Sequence, residues 1–218
     1  MEPNTILSHV DHTLLKPEAT WEQIKTLCDE AMEYGCATVC IPPSFVKQAA
    51  DYVQGNLKIC TVIGFPNGYN TMAAKIFETK DAVENGASEI DMVINIGMVK
   101  DRKWKDISQE IAGVKAACLG RPLKVIIETC LLSDMEKLKL CQLVAKEEAA
   151  YLKTSTGFST GGATREDVAL LRENLPDTVK VKASGGIRTL EDAEAYLSLG
   201  ADRLGASALV GEVRNLTK

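Results

Sequence analysis

"KVIIETCLLSDMEKLKLCQLVAKEEAAYLKTSTG", Lys124 to Gly157, contains the unit that decides the fold. It opens on "KVIIET" (124–129), an apolar run too short for a helix and rich in β-branched residues, which reads as a strand. Ser133 followed by Glu136 has capping-box spacing, so a helix is expected to start there. A second apolar run, "AYLKT" (150–154), reads as the next strand. Two strands with a helix between them are parallel neighbours, because parallel pairing needs a crossover connection.

The same unit recurs in both directions. Further strands are expected at "ATVCI" (37–41), "KICTVIGF" (58–65), "EIDMVIN" (89–95), "VKVKAS" (179–184) and "RLGA" (203–206), with "VDHTLL" (10–15) as another. Thr20 with Gln23, Thr164 with Asp167 and Thr189 with Asp192 mark helix starts. Gly35, Gly86 and Gly200 close helical stretches just before the next strand. About eight such units imply a parallel sheet. An open doubly wound sheet meets the same pattern, but its G-x-G-x-x-G fingerprint after the first strand is absent. The expected fold is therefore α/β, a closed (β/α)₈ TIM barrel, as a single domain over residues 1–218.

The charge balance, 25 Lys+Arg against 30 Asp+Glu for a net charge of −5, leaves no broad basic face for nucleic acid or an anionic membrane. No apolar run of about 18 residues appears, and "MEPNTILSHV" lacks the order of a secretory signal, so a cytoplasmic protein is expected. The seven cysteines are odd in number and never spaced C-x-x-C, which reads as reduced thiols packed in apolar segments.

Functional groups of such a barrel come from the carboxyl ends of the strands and the loops that follow. Asp91, Lys153 and Lys182 each interrupt an apolar strand. Because side chains alternate, Leu152 and Val181 can face the helices while Lys153 and Lys182 face the barrel interior. Two cations brought close between low-dielectric walls lower each other's proton affinity, and burial adds to this. A neutral lysine is a nucleophile toward carbonyls and forms a Schiff base. Asp91 would balance the charge and relay protons. Taken singly, each residue reads as a rim lysine or a pairing aspartate; two inward lysines and an aspartate on three strands of one barrel would be costly to bury without use.

"SGGIRT" (184–189) and "GASALV" (205–210) each follow a strand and lead into a helix, the arrangement that holds phosphate in these barrels. Gly185, Gly186, Gly205 and Ser207 are the candidates. "TSTG" (154–157) can add hydroxyl and amide donors, and Arg188 can add charge. The alternative for these glycines is ordinary turn formation.

At these motifs the chain resembles the deoxyribose-phosphate aldolases. "VDHTLLKP", "EIDMVINIG", "YLKTSTGF" and "VKASGGIRT" occur in order, and the likeness continues through "CTVIGFPNG", "VIIETCLL" and "RLGASALV". The resemblance implies a class I aldolase that reversibly cleaves 2-deoxy-D-ribose 5-phosphate to D-glyceraldehyde 3-phosphate and acetaldehyde, without metal or organic cofactor. It implies Lys153 as the Schiff-base residue, Lys182 as the group that depresses its neighbour's proton affinity and Asp91 as the acid/base partner. Phosphate binding maps to Gly157, Gly185, Gly186, Gly205 and Ser207. The partners are then a sugar phosphate and an aldehyde, with no nucleic acid and no membrane; exposed helix faces are compatible with a homodimer or higher homo-oligomer. Phe158, Ala208 and Pro42 depart from the family pattern, at positions where lysine, serine and asparagine respectively occur in relatives.

The competing functions are a sugar-phosphate isomerase or epimerase that uses Lys153 only electrostatically, and a non-catalytic phosphate sensor. Cys40 is expected to be barrel packing near the substrate. His9 and His12 are too few for a histidine zinc site. Trp21 and Trp104 read as helix packing, Asp11 and Thr13 as either pocket or capping residues, and Lys16 and Lys180 as solvated charges.

Overall fold

The computed structural model describes residues 1–216. Eight parallel strands close into a barrel: β1 (Val10–Thr13), β2 (Thr38–Ile41), β3 (Ile59–Ile63), β4 (Glu89–Val93), β5 (Leu123–Ile126), β6 (Tyr151–Lys153), β7 (Lys180–Ser184) and β8 (Arg203–Ala206). β8 pairs with β1, Asp11 lying opposite Gly205, and this pairing completes the ring. Among the described residues ten α-helices accompany the strands: α1 (Pro3–Leu7), α2 (Trp21–Glu33), α3 (Val46–Val53), α4 (Met72–Glu84), α5 (Ile96–Lys100), α6 (Trp104–Ala117), α7 (Asp134–Lys146), α8 (Arg165–Asn174), α9 (Leu190–Ser198) and α10 (Leu209–Leu216). The TIM-barrel expectation is met, and every expected strand is present. None of the helices among the described residues is long and apolar enough to cross a membrane.

The start signals work as their chemistry requires. Ser133 Oγ accepts from Glu136 N–H while Glu136 Oε2 accepts from Ser133 N–H at 2.8 Å. Thr164 and Thr189 accept from the amides of Asp167 and Asp192 at 3.0 and 3.1 Å, and Gln23 accepts from Thr20 N–H at 2.9 Å. Seven of the eight strands are shorter than their expected runs, and at two of them the cause is local. β4 stops at Val93 because Asn95 caps α5. β5 stops at Ile126 because Glu128, with φ 54° and ψ 67°, is in the left-handed region and breaks the extended backbone.

Strand alternation divides the barrel wall into two cores. Ile90, Met92, Val125, Leu152, Val181, Ala183 and Leu204 point outward into one continuous apolar layer beneath the helices. The inner face is mixed: Cys40, Cys60 and Val62 form a small apolar cluster with Leu15 and Phe65, while the remaining volume holds Asp11, Asp91, Lys124, Lys153 and Lys182, all buried. A barrel interior normally takes branched apolar side chains. Here much of it is ionic. The six cysteines other than Cys130 are buried, and all seven are free thiols.

A second buried ion pair supports the end of β4 from outside. Lys75 of α4 donates to Glu110 of α6 and to the Val93 carbonyl, both at 2.8 Å, and Glu110 accepts from Asn95 N–H. Burial pushes the Lys75 ammonium down and the Glu110 carboxyl up despite their mutual attraction, so the pair adds little net stability while each member depends on the other. Lys75→Met is expected to cost about 3–5 kcal/mol, because it strands a buried carboxylate. The double variant Lys75→Met/Glu110→Leu should recover most of that loss in urea denaturation.

Candidate active site

The strand register sets the site. Lys153 of β6 lies opposite Lys182 of β7, and Asp91 of β4 lies opposite Lys124 of β5. The stagger of a closed barrel then brings Asp91 level with both lysines. Asp91 Oδ2 accepts from Lys153 Nζ at 2.8 Å and from Lys182 Nζ at 2.7 Å, so the two nitrogens flank one oxygen. Asp91 Oδ1 accepts from Lys124 Nζ at 2.9 Å and from the Cys60 thiol at 3.1 Å. The three residues expected from sequence do meet, and Lys153 and Lys182 are 3% and 0% exposed, which leaves no room for freely solvated ammoniums.

The network is larger than the sequence reading. Lys182 donates to Asp11 of β1 at 2.5 Å, and Lys124 also pairs with Glu89 at 2.5 Å. Arg203 of β8 donates to Asp11 at 2.6 Å and to Glu89 at 3.1 Å, with Tyr151 Oη against its other nitrogen. Four cations thus meet three carboxylates. Lys124, Glu89 and Arg203 were missed, although Lys124 carried the same signal as Lys153: a lysine in an apolar strand at the parity of an inward residue. Asp11, whose place in the sequence suits either a pocket or a capping role, belongs to the ionic core.

The charge states correct one expectation. Mutual depression of two lysines is not what happens at Lys182: burial opposes its charge, but Asp11 and Asp91 together outweigh burial and hold its pKa above the ordinary lysine value. Lys124 is raised in the same way, burial being overcome by Asp91, Cys60 and Asp11. Burial likewise acts against the charge of Asp91, and the three lysines overcome it and hold the carboxyl well below its usual range. Asp11 is lowered against burial by Lys182, Lys124 and Arg203. Lys182 is therefore a fixed cation beside Lys153. Of the three lysines, Lys153 has the fewest carboxylate partners, one carboxylate already shared with two ammoniums, and it alone of the three lines the cleft.

That cleft, about 300 Å³, opens at the carboxyl ends of β6, β7, β8 and β1. Gly157, Gly185, Gly186, Gly205 and Ser207 all line it, with Arg188 at its mouth. Lys16, read from sequence only as a solvated charge, is exposed and also lines it. The glycines do more than turn the chain. Gly185, at φ 84°, packs its backbone on Gly162 and Gly157, and a Cβ at Gly162 would stand 2.2 Å from the Gly185 oxygen. A Cβ at Gly205 would stand 2.8 Å from Ser184 Cβ and 3.3 Å from Lys182 Cε, so Gly205 leaves the space that Lys182 occupies.

The hydroxyls of "TSTG" are committed within the protein. Thr154 Oγ1 faces the Ser184 carbonyl, Ser155 Oγ donates to Thr154, and Thr156 Oγ1 donates to Glu128. The expected hydroxyl donors for an anion therefore reduce to backbone groups of the loop. Phe158, half exposed, lines the cleft and packs edge-on against Phe65 with ring centroids 5.3 Å apart.

Cys40 is fully buried beside Cys60 and does not line the cleft, in keeping with packing. Its hydrogen bond with Cys60 pulls its thiol down, while burial and that bond push Cys60 well up. His12 Nε2 is hydrogen-bonded to Glu30 at 2.9 Å. Two ligand sets, Cys40 with Cys60 and Asp91, and Asp11 with Cys60 and Glu89, have their donor atoms within 4.8 Å. A divalent cation there would share its volume with the ammoniums of Lys124, Lys153 and Lys182, and their repulsion argues against one.

A cleft-facing amine beside a fixed ammonium and a shared carboxylate, under glycine loops at the carboxyl mouth of a (β/α)₈ barrel, defines an enzyme of the lysine-dependent aldolase class. The profile of the DeoC/LacD family aldolases matches residues 5–211. The chain is 54% identical over 215 residues to the deoxyribose-phosphate aldolase of Streptococcus pyogenes serotype M4, covering 99% of this chain and 96% of that protein. A putative deoxyribose-phosphate aldolase from Coccidioides immitis superposes with a TM-score of 0.93 at 43% identity, over 98% of this chain and 87% of the other. The tetrameric deoxyribose phosphate aldolase of Aeropyrum pernix superposes with a TM-score of 0.91 at 32% identity, over 100% and 93%. The chain belongs to the DeoC/LacD aldolase family.

Proposed function

We propose that this chain is a deoxyribose-phosphate aldolase, a class I lyase that reversibly cleaves 2-deoxy-D-ribose 5-phosphate to D-glyceraldehyde 3-phosphate and acetaldehyde. The observation that carries the reading is the position of Lys153 on the cleft, sharing Asp91 Oδ2 with a Lys182 kept cationic by Asp11.

In its neutral form the Lys153 amine adds to the C1 aldehyde of the open-chain sugar, giving a carbinolamine that loses water to an iminium. A base then takes the C3 hydroxyl proton, and the C2–C3 bond breaks. Its electron pair moves toward the iminium nitrogen, giving an enamine and releasing C3 as the aldehyde of glyceraldehyde 3-phosphate. Protonation of the enamine at C2 and hydrolysis free acetaldehyde and Lys153. Asp91, hydrogen-bonded to Lys153 and Lys182, takes up and returns the protons these steps require, directly or through water, while Lys182 stays charged. Lys182 places a positive charge beside the Lys153 nitrogen, the two sharing Asp91 Oδ2. The cleft glycines and Ser207 offer backbone and hydroxyl donors to the 5-phosphate, with Arg188 at the mouth.

The substrates are small molecules, and the reading includes a cytoplasmic setting and self-association as a homo-oligomer, as in the tetrameric Aeropyrum pernix protein. The direct test is a coupled assay for glyceraldehyde 3-phosphate release from deoxyribose 5-phosphate, run beside borohydride trapping with acetaldehyde. Release together with a covalent adduct on Lys153 is the expected result. Turnover of phosphate esters without any trapped imine would instead favour an isomerase or epimerase.

A further inference from the structure

We propose that Glu128, a buried residue outside the cleft, is a positioning residue for phosphate recognition: its carboxylate clamps Thr156 and so fixes the Thr156–Gly157–Phe158 turn that forms one wall of the anion cleft. The inference rests on the aldolase reading for its substrate, but not for its geometry.

Glu128 follows β5 directly and is 3% exposed. Oε1 accepts from Thr156 N–H at 3.1 Å and Oε2 from Thr156 Oγ1 at 2.5 Å, so one residue engages both oxygens. The same hydroxyl oxygen accepts from Phe158 N–H at 3.0 Å. With its proton given to Glu128 and a lone pair to Phe158, the Thr156 hydroxyl is oriented inside the turn. Charge-assisted bonds of this kind are stronger than neutral ones.

The surrounding backbone is tied at the same place. Ile127 N–H donates to the Lys153 carbonyl at 3.0 Å and Thr129 N–H to the Thr154 carbonyl at 2.9 Å. Residues 127–129 thus run alongside 153–156, with Glu128 reaching one step further toward the cleft. This arrangement needs Glu128 in the left-handed region, where a non-glycine residue is disfavoured and persists only when its surroundings over-determine it. Beyond the clamp, Gly157, at φ 84°, rests on Gly185 Cα, so the turn reaches the loop after β7 that forms the facing wall. Thr156, Gly157 and Phe158 line the cleft; Glu128 does not. Its effect on an anion is therefore indirect, through the placement of loop amides.

A residue that only stabilised the fold would affect all substrates alike. A clamp on the anion wall affects phosphorylated ligands selectively. Glu128→Ala is expected to raise KM for deoxyribose 5-phosphate roughly tenfold with kcat within about twofold, and to leave kcat/KM for unphosphorylated 2-deoxyribose unchanged. Inorganic phosphate, titrated by calorimetry, should bind the variant about tenfold more weakly than the wild type. Glu128→Gln keeps an acceptor for Thr156 N–H and should lie between the two; it also serves if the alanine variant does not fold.

Equal losses for phosphorylated and unphosphorylated sugar, or unchanged phosphate binding and KM, would overturn the clamp while leaving the aldolase reading intact. A wild type that traps no imine and releases no acetaldehyde would overturn the aldolase reading. Phosphate titration of wild type against variant would still decide the clamp, and a wild type that binds no phosphate would reject it.

Discussion

Lys153→Ala is expected to abolish cleavage of deoxyribose 5-phosphate, a fall on the order of 10⁴-fold or more, because Lys153 is the amine that both lines the cleft and is hydrogen-bonded to Asp91. Lys124 and Lys182 are buried among carboxylates and held as cations, so neither replaces it. The variant should remain folded: Asp91 keeps Lys124 and Lys182 as partners, and the lost side chain comes from a site with more cations than carboxylates. Circular dichroism and melting should match the wild type, and borohydride with acetaldehyde should leave no adduct. An adduct on another lysine would reject the assignment. Lys182→Leu, by contrast, removes the fixed cation beside Lys153 and should shift the pH–rate profile.

Asp91→Ala carries the second large effect, and it is one of stability as well as rate. The change leaves three buried ammoniums without their common acceptor. Breaking a buried pair from one side costs about 3–5 kcal/mol, which in a chain of this size lowers Tm by on the order of 10 °C. Turnover should fall by roughly 10²–10⁴-fold, the range for loss of an acid/base group. The pH dependence follows from the sign of the shift. The folded-state pKa values of Asp91 and Asp11 are depressed, so their contribution is fully present above the unfolded value of about 3.9 and is lost as pH falls below it. The raised pKa values of Lys124 and Lys182 act at the other end, their contribution being present below about 10.4 and lost only at higher pH. Stability should therefore be flat across neutral pH and drop in acid, and Asp91→Ala should flatten the acid limb. An unchanged acid limb in the variant would refute the assignment.

Part of this site was legible because strand alternation is local. Lys153 and Lys182 follow Leu152 and Val181, residues whose place in the outer core fixes the inward direction of the next side chain. The same rule applied to Lys124, which precedes Val125, but its position at the start of an apolar run gave no second motif to draw notice. Asp11 could not be weighed from its neighbours at all. Its partner Lys182 is 171 residues away, and only closure of β1 onto β8 joins them. That the hydroxyls of "TSTG" are committed within the protein was hidden for a similar reason, since the acceptor for Thr156 is a buried carboxylate 28 residues upstream.

The sequence by itself determined the order of strands and helices, the capped helix starts and the inward parity of the lysines, because these depend on residues within a few positions of one another. Tertiary structure alone decided which carboxylates the lysines share and which lysine faces the cleft. Barrel closure and strand stagger bring together charges from six strands, and a charge state in a buried site is set by those neighbours in space.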